Sequence, residues 1–200
     1  IDALNECIKK YLINVELVSK ERYLEIFRFP VGPLYQELGF DFIEFTEIKT
    51  NDPIKTAKDL NEYCKKIDLE IVAYAVGANF LTDDIKKEVA RIKGEIDIAS
   101  ALGAKVFRHD VCYSLKPDPL YDYKKAIVDM TPYVREVSLY AKNLGITTCS
   151  ENHGFIFQAP NRVEELILSV NEENYGWLLD MGNFLCDDVD PELGTKIASK

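Results

Sequence analysis

The sequence predicts an α/β protein of the (β/α)8 barrel type, with about six βα units in its 200 residues. Three observations carry this expectation. A Leu-Gly pair followed by a strand-like run recurs in "ELGFDFIEF" (37–45), "ALGAKVFRH" (101–109) and "NLGITTCSE" (143–151). Amphipathic helical patterns alternate with short β-branched or aromatic runs. Polar residues gather where several of those runs end, the place where a parallel barrel builds its site.

The expected strands are 13–18 (INVELV), 41–48, 68–76 (DLEIVAYAV), 105–110, 146–151 and 175–181 (YGWLLDM). The first of them leads into "EIFRFPVGPLYQ" (25–36), the place of the first barrel helix. Pro30, Gly32 and Pro33 argue against a regular helix there. A helix opening at Asp52-Pro53 puts Ile54, Ala57, Leu60, Cys64 and Ile67 on one side. Over 82–102, Ile85, Val89, Ile92, Ile96 and Ala99 recur at steps of three and four. Thr82 is the expected N-cap, with Asp83 and Asp84 suited to the positive helix start. A longer helix over 121–144 ends at Gly145. Pro160 and Pro191 stand where a first helical residue belongs, and 160–171 carries the stripe Val163, Leu166, Ile167, Val170. Gly39, Gly103 and Gly145 each close a helical pattern, as expected of a left-handed C-terminal position.

Strands alternating with helices at this spacing fit parallel βα units. An open doubly wound sheet is the competing architecture. It would normally show a glycine-rich phosphate loop after its first strand, and neither GxGxxG nor GxxxxGK[ST] occurs. A complete barrel needs eight strands and about 250 residues. One domain over 1–200 is therefore expected, with the C-terminal quarter of the barrel missing from the chain.

Composition narrows the partners. The formal net charge of -10 argues against nucleic acid. No apolar run of about 18 residues suggests a membrane span. No signal peptide is read, although the chain begins at Ile1 without Met. The five cysteines, Cys7, Cys64, Cys112, Cys149 and Cys186, are odd in number and form no CxxC pair. They read as reduced thiols of a cytoplasmic protein. Cys149 lies close to Glu151 in sequence, but a small buried side chain is the commoner role for an isolated cysteine.

The candidate chemistry centres on Glu151 and Asp180, which close the strands at 146–151 and 175–181. Adjacent parallel strands lie about 4.8 Å apart, so two carboxylates at neighbouring strand ends can reach one cation. Without a cation or a shared proton they repel. The plainer reading is that each caps a helix or pairs with a lysine.

Four segments make the chain resemble the sugar phosphate isomerase/epimerase family, the xylose isomerase-like TIM barrels. They are "YAVGANFL" (74–81), "LGAKVFRHDV" (102–111), "SENHGFIF" (150–157) and "LLDMGNFL" (178–185). The combination of ENHG, a proline-opened helix and DxGNF one unit later is more specific than any one of them. The resemblance implies that Glu151 and Asp180 bind a divalent cation (Mn, Mg, Co or Zn) and that Asn183 contacts substrate. It places the remaining ligands, a histidine and a glutamate, on seventh and eighth strands beyond Lys200. It implies proton transfer next to the carbonyl of a sugar, sugar phosphate or polyol, with Glu151 as the available base.

Other residues of the set are less determined. His153 could orient Glu151, touch a substrate hydroxyl, or be a solvent-exposed loop histidine. Arg108 could bind a substrate oxygen or phosphate, or pair with a barrel carboxylate. His109 should point away from Arg108 by strand alternation. Glu44, in "DFIEF", is expected in an ion pair inside the barrel, with substrate contact second. Trp177 reads as core. Three further functions are open. An inosose dehydratase on the same scaffold would also acidify a carbon-bound proton. A related zinc endonuclease would need several histidines and a basic face, against two histidines here. A non-catalytic incomplete barrel would expose strand edges and invite homo-oligomers.

Overall fold

The computed structural model describes residues 24, 27–154 and 156–199. The predicted strand at 13–18 and Cys7 lie outside them. The described strands are β1 (Phe42–Thr46), β2 (Glu70–Val76), β3 (Val106–His109), β4 (Thr147–Glu151) and β5 (Tyr175–Leu178). The sheet takes them in chain order, β1-β2-β3-β4-β5. The helices are α1 (Gly32–Glu37), α2 (Pro53–Lys66), α3 (Ile85–Leu102), α4 (Tyr123–Lys142), α5 (Pro160–Val170) and α6 (Pro191–Ala198). Among the described residues no helix is long and apolar enough to cross a membrane.

The chain divides into two compact units. One comprises the residues up to Tyr74 together with Asp97–Lys105. Its proline-rich segment forms a π-helical turn, Phe27–Val31, that runs directly into α1. Prolines cannot donate to a regular helical ladder; Pro30 lies within the wider turn, and Pro33 is the second residue of α1, where no intrahelical donor is needed. Phe27 packs on Phe45 and Tyr63, with ring centroids 5.1 and 5.9 Å apart. The Asp52 side chain caps α2 by accepting from the Lys55 amide at 3.1 Å. The buried stripe of α2 is Thr56, Ala57, Leu60 and Cys64. In β1, Ile43 and Phe45 are buried and Glu44 is on the exposed alternate face.

The second unit comprises Ala75–Ile96 and Val106–Lys200. Here β3, β4 and β5 pair in parallel, with Arg108 opposite Cys149 and Glu151 opposite Leu178. The face of α4 toward the sheet is Ala126, Ile127, Met130, Val134, Val137, Ser138 and Ala141, all buried. The Thr148 hydroxyl donates to Ser138 Oγ at 2.8 Å, so two buried polar groups satisfy each other. α5 buries Val163, Leu166 and Val170. A 3-10 turn, Gly182–Asp187, follows β5 and buries Phe184.

The three expected glycine stops hold, with φ of +75° at Gly39, +78° at Gly103 and +70° at Gly145. The expected cap of the 82–102 helix does not. Asp84, not Thr82, receives the Lys87 amide on its side chain at 3.2 Å, and its carbonyl accepts from the Glu88 amide. The apolar period fixes the face of a helix but not its first turn, and a carboxylate beside the helix start is a strong acceptor for the unpaired amides.

Candidate active site

Strand alternation sorts the side chains of β3, β4 and β5 onto two faces. Phe107, His109, Thr148, Ser150 and Tyr175 share one face and are buried. Arg108, Cys149 and Glu151 share the other, and Asp110 and Asp180 extend it just beyond the strand ends.

Glu151 is held from two sides. Its Oε2 accepts from Arg108 Nε at 2.9 Å and lies 2.7 Å from the Arg108 Nη2. Its Oε1 accepts from Asn183 Nδ2 at 2.9 Å. Arg108 Nη2 also lies 3.1 Å from Asp110 Oδ1. That same carboxylate oxygen is 3.3 Å from His153 Nδ1. Asn183 spans both predicted ligands, because its backbone amide donates to Asp180 Oδ1 at 3.3 Å. The Gly182 amide donates to the same oxygen at 2.7 Å. One connected chain therefore runs His153, Asp110, Arg108, Glu151, Asn183, Asp180.

A buried clasp lies beside this chain. Asn152 is fully buried. Its Oδ1 accepts from the Asp180 amide at 2.9 Å and from Trp177 Nε1 at 3.1 Å. Its Nδ2 donates to the Asp180 carbonyl at 2.7 Å.

The opposite face is different in kind. His109 packs between Phe80, Phe107 and Tyr175. Its Nδ1 lies 2.8 Å from the Asp110 carbonyl, and Nε2 has no hydrogen-bond partner among the described residues. Burial pushes its pKa down from 6.5 to about 4, so the ring is neutral. Burial likewise pushes the Cys112 thiol up to about 12. Cys149 is buried with its Sγ 3.8 Å from the Phe107 carbonyl.

Five of the residues singled out from sequence, Arg108, Glu151, His153, Asp180 and Asn183, thus meet at one sheet edge. Arg108 takes the carboxylate-pairing alternative, and His109 points away from it as alternation required. His153 is half exposed and touches Asp110, not the Glu151 side chain. Glu44 lies in the first unit, on the exposed face of β1. Asp110 and Asn152 were missed from sequence. Asp110 had a signal, since it stands two residues after Arg108 and so shares its face. Asn152 had none, because it works through the main chain of a residue on the next strand.

The residues suit an oxygen-liganded cation in part. Glu151 Oε1 and Asp180 carry the free carboxylate lone pairs on one face, and hard divalent ions prefer such donors. No group of three or more His, Cys, Asp and Glu that could hold a metal occurs among the described residues. Glu151 and Asp180 together fall short of a full ligand shell.

A parallel α/β sheet with a charged cluster at the C-terminal strand ends is the arrangement found in (β/α)8 barrels. Residues 34–200 match the model of the xylose isomerase-like TIM barrel family, and the chain belongs to that family. Its (β/α)8-type fold class is therefore shown. No curated protein sequence matches the chain. Among solved structures it resembles L-ribulose 3-epimerase, with a TM-score of 0.74 and 15% identity, covering 94% of this chain and 64% of that one. It resembles D-psicose 3-epimerase from Clostridium cellulolyticum H10 with D-tagatose (TM-score 0.67, 16% identity, 82% of this chain and 61% of that one). It also resembles a xylose isomerase-like TIM barrel protein from Mycobacterium smegmatis in complex with magnesium (0.65, 19%, 90% and 64%). At these identities the likeness is one of fold. The chain spans less than two thirds of the length of each of these three.

Proposed function

We propose that this chain carries half of the active site of a divalent-metal-dependent isomerase or epimerase acting on a sugar or polyol. The observation that carries the reading is the bridge Glu151–Asn183–Asp180 across the ends of β4 and β5. Two carboxylates held on one face by a shared neutral amide suit a common cation. Relatives in fold that act on ketoses, and one solved with magnesium, support the same reading.

Glu151 and Asp180 would hold the cation, which when bound polarises the substrate carbonyl and stabilises negative charge on adjacent oxygens. Glu151 removes the carbon-bound proton next to that carbonyl. Serving as ligand and base together requires both of its oxygens. Oε1 keeps one lone pair beside Asn183. Oε2 is engaged by Arg108 through one hydrogen bond and a close Nη2 contact, and it is released when Arg108 swings away. Asp110 provides the second resting place, since it already lies 3.1 Å from Arg108 Nη2. With its guanidinium shared between two carboxylates, Arg108 suits hydroxyl contacts better than a phosphate. Asn183 and His153 would meet substrate hydroxyls.

The test is solvent deuterium exchange at C1 and C3 of ketoses and at C2 of aldoses, unphosphorylated and phosphorylated, with the full-length protein and with or without Mn²⁺. The reading predicts metal-dependent exchange, strongest on an unphosphorylated substrate. Exchange followed by loss of water would redirect it to a dehydratase. No exchange with any metal would sink it.

A further inference from the structure

We propose that Asn152 is a positioning residue that sets the placement of Asp180 relative to Glu151 and thereby the affinity for the divalent cation. The inference rests on the metal reading above but concerns a residue that cannot touch the ion. Asn152 follows Glu151 directly, so alternation turns its side chain to the opposite face. It is fully buried, and both polar atoms are engaged. Its amide takes the Asp180 N–H and C=O together, as a neighbouring strand would. The pairing thus continues past the last β4–β5 backbone partners, Glu151 and Leu178. One ligand is adjacent to the clasp in sequence and the other is inside it.

The consequence is leverage. Among the described residues no backbone hydrogen bond joins Asp180 to β4, and the Asp180 carboxylate Oδ1 organises the turn that presents Asn183. Releasing the clasp frees Asp180 and Asn183 together. Groups that orient metal ligands without binding the metal typically change affinity about 10–100-fold.

The experiment measures Mn²⁺ affinity of the full-length protein by electron paramagnetic resonance, for wild type, Asn152→Leu, Asn152→Asp and Trp177→Phe. Thermal melting runs alongside. Asn152→Leu removes all three bonds. Asn152→Asp keeps both acceptor bonds, turns an oxygen toward the Asp180 carbonyl, and serves where the leucine variant does not fold. We expect affinity to fall about 10–100-fold in Asn152→Leu and about 10-fold in Asn152→Asp. Trp177→Phe, which loses only the indole bond, should stay within about two-fold. Unchanged affinity in the folded Asn152 variants overturns the proposal, as does an equal loss in Trp177→Phe. If wild type itself shows no Mn²⁺ site, the metal reading fails. Amide exchange at Asp180 then decides the clasp: faster exchange in Asn152→Asp than in wild type supports it, and equal exchange overturns it.

Discussion

The two faces of β3, β4 and β5 are made by the same strands and solve the burial of polar groups in opposite ways. On one face, buried hydroxyls find neutral partners: Thr148 meets Ser138 and the Asn174 carbonyl, and the Tyr175 hydroxyl meets Ser150 Oγ. The single ionisable imidazole there, His109, is kept neutral. On the other face nothing closes locally. Arg108 stands between Glu151 and Asp110, and Asn183 between Glu151 and Asp180. Arg108 and His109 are neighbours in sequence and both basic, yet His109 is held neutral among aromatic rings while Arg108 pairs with two carboxylates. The lesson is that alternation alone divides a structural face from a chemical one. A face whose carboxylates outnumber its cations is left with a demand for positive charge.

The comparison breaks most severely if the charged face is in truth freely solvated. Arg108→Met leaves Glu151 and Asp110 without their shared guanidinium. Losing one partner of a buried ion pair costs roughly 3–5 kcal/mol, and the side chains here are only 13–16% exposed. Urea unfolding of the metal-free protein checks this. A loss below about 1 kcal/mol, as for surface pairs, would show the face to be open to water.

The neutral face makes the next largest prediction. The folded-state pKa of His109 lies below the ordinary value, so the unfolded chain takes up the proton first. Stability should therefore fall as pH drops from about 6.5 through about 4, by up to about 3 kcal/mol from this group. His109→Phe should flatten that part of the curve. Unfolding midpoints of both proteins between pH 7.5 and 4 test it, and parallel curves would contradict a buried neutral imidazole.

The smallest effect concerns thiols on both sides of the sheet. Cys64, Cys112 and Cys149 are buried and Cys186 is exposed, and burial pushes Cys64 and Cys112 up to about 12. Cys186 should react with a thiol reagent at least about 100-fold faster than these three. Rapid labelling of Cys149 would show that the charged face admits reagent down to the strand.

Much of this was legible before any coordinates. The α/β class, the five described strands and the glycine stops follow from period and backbone sterics, which act locally. The separation of Arg108 from His109 follows from alternation. What was not legible depended on register or on main-chain partners. Arg108 meets Glu151 because Arg108 pairs opposite Cys149, which no single-strand pattern encodes. Asn152 binds backbone, so no partner residue type announces it. The shift of the helix cap from Thr82 to Asp84 and the π-turn over 27–31 arise from competition among nearby donors and acceptors that apolar periodicity does not see.

The central claim is that Glu151 and Asp180 on the charged face bind one divalent cation together. Mn²⁺ titration of the full-length protein by electron paramagnetic resonance, for wild type, Glu151→Gln and Asp180→Asn, tests it most directly. The account predicts one saturable site in wild type, weakened at least about 100-fold in each variant. Wild-type affinity in both variants would contradict it.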